Sequence, residues 1–66
     1  MRLLTEITVV GGNCYRVEGE AKVVERLILD AARGSIMEFA WLTEIDTGER
    51  IALNPESVIM LREVTG

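Results

Sequence analysis

Few side chains in this sequence can do chemistry, and the ones present are badly spaced for it. There is no histidine, so the usual general base and the commonest metal ligand are both missing. A Cys–His or Ser–His nucleophile therefore cannot be assembled from this chain. Cys14 is the single cysteine. It can be read as a lone reactive thiol, but an isolated strand cysteine is usually a small packing residue, and that role is expected here. Glu38 and Glu44 share one face of an extended segment. At ~3.4 Å per residue they stand about 20 Å apart, beyond the roughly 5–9.5 Å of a paired acid–base device. Asp46 and Glu49 flank a turn, where acids are ordinary. Gly11-Gly12-Asn13 lacks the longer Gly-x4-Gly-Lys-Ser/Thr pattern of a phosphate loop and precedes a strand rather than a helix. Trp41 and Tyr15 can stack on bases, yet Trp41 shares a strand face with Phe39, which points to core. The expectation is a protein that is not an enzyme, with no cofactor and no metal site.

Composition narrows the partner. The chain has 66 residues, one domain's worth, and 48% of them are hydrophobic. Domains this small fold alone but marginally, and many lean on disulfides, metals or a second subunit. With one cysteine and no histidine, a dense apolar core or a second subunit must serve. Eleven acids against seven bases give a net charge of −4, which repels phosphate backbones. The arginines are interleaved with acids, so nucleic acid is not the expected partner. No segment reaches the roughly 18 apolar residues of a membrane span. The stretch Met1–Val10 contains Arg2 and Glu6 and does not read as a signal peptide. No membrane contact and a cytoplasmic location are therefore expected.

The elements follow from periodicity and turn residues. Ile7–Val10 and Cys14–Val17 read as a hairpin around Gly11-Gly12-Asn13. Gly19–Arg33 reads as a helix, with Ala21, Val24, Leu27, Ile28, Ala31 and Ala32 on one stripe. Leu29 projects among the charged residues, and Gly34 is a natural stop. Ile36–Ile45 reads as the longest strand, with Gly48 in the turn before the return strand Arg50–Leu53. Asn54-Pro55 interrupts, and Ser57–Arg62 is a final strand. The expected fold is α+β, in the order β-β-α-β-β-β, an antiparallel sheet with one helix packed on one face.

That architecture carries the functional expectation. One helix covers one sheet face, and the face of Phe39 and Trp41 is the more apolar, so it is assigned to the helix. The other face should then be polar in a monomer. Instead it carries Ile36, Ala40, Leu42 and Ala52, which are taken as partner-binding residues. A patch of that kind points to protein contacts, with a homo-oligomer, a dimer above all, as the leading form. A cellular protein is the other candidate partner, and strand addition at a free sheet edge is a secondary route. Three alternatives stay open: a sheet curled into a small barrel that buries its own second face, a small-molecule or nucleotide binder using Trp41 or Tyr15, and a nucleic-acid-binding regulator.

Two resemblances add to this. The order hairpin, helix, hairpin, with the step Val17-Glu18 towards the helix and the return strand Thr47-Gly48-Glu49-Arg50-Ile51-Ala52-Leu53-Asn54-Pro55, resembles a group of short actinobacterial proteins of unknown function, some labelled ATP-binding. The matching stretch runs from Ile7 to Leu61. The label implies a phosphate site, for which the residues supply no motif. Gly48 to Ile59 also looks like the start of a small flagellar accessory protein, and the linker-free build is similar to small phage-encoded proteins of high-GC hosts.

Overall fold

The computed structural model describes residues 2–34 and 38–65. Its elements are β1 (Leu3–Val9), β2 (Cys14–Glu18), α1 (Ala21–Arg33), β3 (Ala40–Thr43), β4 (Arg50–Leu53) and β5 (Val58–Thr65), with a short 3-10 turn, Pro55–Ser57, leading into β5. The α+β class and the order β-β-α-β-β-β are as the sequence predicts.

Local chemistry explains each turn. Gly11 and Gly12 adopt φ of 101° and 94°, left-handed values that side chains resist, and so let β1 fold back on β2. The two strands pair antiparallel from Leu4↔Glu18 to Thr8↔Cys14. Gly48, at φ 75°, does the same between β3 and β4, which pair from Ala40↔Leu53 to Thr43↔Arg50. Asn54 ends β4: its Oδ1 accepts from the Glu56 N–H at 3.0 Å, while Pro55 opens the 3-10 turn. The chain then crosses to the far side of β1. There β5 pairs antiparallel with it, with a register shift between Thr8 and Val9.

The single expected sheet is in fact two. One is three-stranded, in the order β2-β1-β5, and the other is the β3–β4 pair. They touch through the isolated bridge Val17↔Glu44, where the Ile45 N–H donates to the Arg16 carbonyl at 2.9 Å. The reason is the length of β3. Of the strand expected over Ile36–Ile45, Ile36 and Met37 lie outside the described residues; from Glu38 on it is strand over Ala40–Thr43, and the chain turns away directly after Glu44.

The inner faces of both sheets and the helix share one core. Ile7, Val9 and Val17 come from the first sheet, Val24, Ile28 and Ala31 from α1, and Ala40, Leu42 and Leu53 from the second. The helix stripe is narrower than its sequence suggests, because Leu27 and Ala32 stay exposed. Leu29 is exposed as its position among the charges predicts. Two polar contacts lock the helix start. Thr5, fully buried, donates from Oγ1 to the Gly19 carbonyl at 2.9 Å. Glu63 of β5 accepts the Ala21 N–H at 2.9 Å and sets a carboxylate at the positive end of the helix.

The faces of β3 are the reverse of those expected. Ala40 and Leu42 are 3% and 4% exposed and lie in the core, whereas Phe39 and Trp41 are 43% and 55% exposed. Layer spacing is the physical cause. Ala31 on the helix and Ala40 on the strand are both core residues, and small side chains let a helix approach a sheet closely. An indole in that layer would hold the two apart. The strand's two-residue period then sends Trp41 outward. The residue with the largest apolar surface was the natural core choice from sequence, but a core this small is filled by Ala, Val, Leu and Ile.

Candidate interaction surface

The four residues expected to bind a partner do not form one surface. Ala40 and Leu42 are spent on the chain's own core. Ile36 lies outside the described residues. Ala52 alone is exposed, on the outer face of β4, directly opposite Trp41 in register. The inner side is thus roofed by the helix and the first sheet, and the expected patch of Ala40 and Leu42 is withdrawn.

The sheet edges are a different matter, and backbone hydrogen-bond parity tells them apart. The Glu44 N–H donates to the Glu49 carbonyl at 2.8 Å, so that pair is of the hydrogen-bonded kind. Stepping by two, Leu42↔Ile51 and Ala40↔Leu53 are hydrogen-bonded pairs as well. Ile51 and Leu53 therefore aim their backbone groups at β3. Arg50 and Ala52 aim theirs outward, at the side of β4 that has no neighbouring strand among the described residues. Among the described residues no backbone group bonds to that edge outside the β3–β4 ladder.

The same parity applies to β5. The Val9 N–H donates to the Asn13 carbonyl, so the odd residues of β1 bond to β2 and the even ones to β5. Leu61, Glu63 and Thr65 then hold the outward backbone groups of β5. The start of the helix lies against this strand, tied by the contact from Glu63 to Ala21. The outward groups of β5 are thus also without a backbone partner among the described residues, and what distinguishes β4 is the apolar groove beside its edge.

A groove of about 340 Å³ runs beside the β4 edge. Val9 and Tyr15 line it from the first sheet, and Ile51 and Leu53 from β4, with Asn54 and Ser57 at its end. Part of its polar equipment is already engaged. Asn54 Oδ1 accepts from Glu56, and the Ser57 hydroxyl donates to the Asn54 carbonyl at 2.7 Å. What remains is an apolar trough with a strand edge as one wall. On the outer side of the same edge stand Arg50, Ala52 and Trp41. Arg50 takes part in no ion pair among the described residues.

The remaining surface is less directed. Glu6 sits between Arg62 at 3.0 Å and Arg16 at 3.8 Å on the outer face of the first sheet. Cys14 is exposed there, with Sγ 3.4 Å from Thr8 Oγ1, so it does not have the packing role expected of it. Two residues from Thr8 along the same face is Val10, and across from Thr8 is Met60, both exposed. Among the described residues no three His, Cys, Asp or Glu side chains gather where an ion would sit. No helix among them is long and apolar enough to cross a membrane.

Sequence reasoning named strand addition as a secondary route but did not locate the edge. The local signal existed: a four-residue strand closed by Asn54-Pro55. What it lacked was the knowledge that β5 leaves β4 and pairs with β1. Comparison with models of known families, with curated proteins and with solved structures yields no match to this chain.

Proposed function

We propose that the protein is a small non-enzymatic protein-interaction module that joins another polypeptide, a second copy or a cellular protein, by strand addition at β4. One observation supports this above the others. The outward N–H and C=O groups of Arg50 and Ala52 make no backbone bond among the described residues and stand beside an apolar groove. Main-chain hydrogen bonds at such an edge supply affinity, and alternate side chains of the incoming strand supply specificity through the groove. Trp41 adds an exposed aromatic of the type that anchors interfaces.

Ala52→Pro tests the reading. Proline removes an outward N–H but no bond to β3, and edge strands tolerate it when that N–H faces solvent. The parent is expected to associate in light scattering, or to bind its partner, at concentrations where Ala52→Pro stays at the 7.3 kDa monomer mass. Equal association of the two proteins, with the variant folded, contradicts strand addition.

A second reading has one observation in its favour. Tyr15 does line the groove, as a small-molecule or nucleotide site would require. Saturable quenching of tyrosine and tryptophan emission by a nucleotide, without a change in molecular mass, would favour it over a polypeptide partner.

A further inference from the structure

Resting on that reading, we infer that the strand added to β4 is β4 of a second copy, placed antiparallel about a two-fold axis through Ile51. The outward-pointing residues fix the register. In an antiparallel pair, opposed residues lie on the same face and exchange both backbone bonds only when both point towards the partner. Arg50 and Ala52 are the residues of β4 that do so, and they are two apart. Pairing Arg50 with the partner's Ala52, and Ala52 with the partner's Arg50, satisfies all four outward N–H and C=O groups on each chain's edge. Ile51 then faces the partner's Ile51. The β3–β4 pairs of two chains become one four-stranded sheet, a closed two-fold assembly that leaves no further edge on that side.

Side chains on the outer face suit this register. Across the joined sheet the order in one row is Trp41, Ala52, then the partner's Arg50, with Trp41↔Ala52 given by the existing ladder. At about 4.8 Å between strands, the Arg50 backbone stands roughly 10 Å from that of the partner's Trp41. Only a methyl side chain lies between them, so the guanidinium can reach over Ala52 to the exposed indole. Arg50 has no acid partner among the described residues, and Trp41 is 55% exposed. A cation within about 6 Å of an indole face is attracted to it. The two-fold makes this contact twice, which is the complementarity that favours a second copy over a foreign strand.

Cysteine trapping tests the register in a Cys14→Ser background, which removes the exposed thiol. In a non-hydrogen-bonded pair the Cα atoms are about 4.5 Å apart, within disulfide range. Ile51→Cys should therefore form a covalent dimer on air oxidation. Ala52→Cys should not, because its own symmetry mate is about 9 Å away by strand spacing and rise. If the inner position disturbs folding, the double variant Arg50→Cys/Ala52→Cys replaces two exposed residues and should cross-link fully. Arg50→Ala should weaken the parent dimer about tenfold by sedimentation equilibrium. Efficient linkage of Ile51→Cys but not Ala52→Cys supports the two-fold. A parent that dimerises while Ala52→Cys links as well as Ile51→Cys overturns the register yet leaves self-association standing. A parent monomeric at several hundred micromolar overturns the second copy as occupant, and strand addition then requires a foreign segment.

Discussion

Leu42 and Phe39 separate the two possible orientations of β3. Leu42 is 4% exposed and lies in the shared core, while Phe39 is 43% exposed. Truncating a packed leucine to alanine costs about 2–5 kcal/mol through lost transfer energy and the cavity left behind. At ~0.05–0.15 kcal/mol per residue, 66 residues give a total stability of about 3–10 kcal/mol. Leu42→Ala should therefore remove about a fifth of the stability or more. Leu42→Glu buries a carboxylate with no partner and should leave the chain unfolded. Full burial of a phenylalanine contributes about 1.5–3 kcal/mol, so the half-exposed ring of Phe39 should cost about 1 kcal/mol on truncation. Urea unfolding followed by far-ultraviolet circular dichroism, at low micromolar protein, measures all three. A loss of 3 kcal/mol or more for Phe39→Ala, with less than 1 kcal/mol for Leu42→Ala, would refute the packing argument and return the aromatic face to the helix.

Other expectations concern the links around that core. Thr5→Val keeps the shape but strands the Gly19 carbonyl, so urea titration should show a loss of about 1–3 kcal/mol. Glu63→Ala removes the carboxylate from the helix start and should cost about 0.5–2 kcal/mol. The same change should raise amide exchange in the first helical turn. Gly48→Ala forces a side chain into a left-handed position and should cost about 1–2 kcal/mol, read as a lower melting temperature.

The class of the fold and its element order were legible because the sequence punctuates clearly. Gly11-Gly12, Gly48 and Asn54-Pro55 sit where the chain reverses, and the helix shows its period apart from Leu29. Which way a strand faces was not legible in the same way. Alternation separates Ala40 and Leu42 from Phe39 and Trp41, but it does not say which set meets the helix. That choice depends on how closely the layers approach, a property of pairs such as Ala31 and Ala40 that are distant in sequence. Of the candidate contacts, Ala52 falls on the surface now proposed, and it does so through its backbone and its small size. The role of the edge itself depended on topology. Only once β5 is seen to pair with β1 is β4 left without a neighbouring strand on its outer side among the described residues.

Amide hydrogen exchange, read residue by residue along β4 by NMR as protein concentration is raised, tests strand addition most directly. In dilute solution Ile51 and Leu53, bonded to β3, should exchange slowly, while Arg50 and Ala52 exchange at nearly unprotected rates. On association Arg50 and Ala52 should become protected together, by a factor that tracks the associated fraction. Association that leaves these two amides exchanging as fast as before would contradict the account.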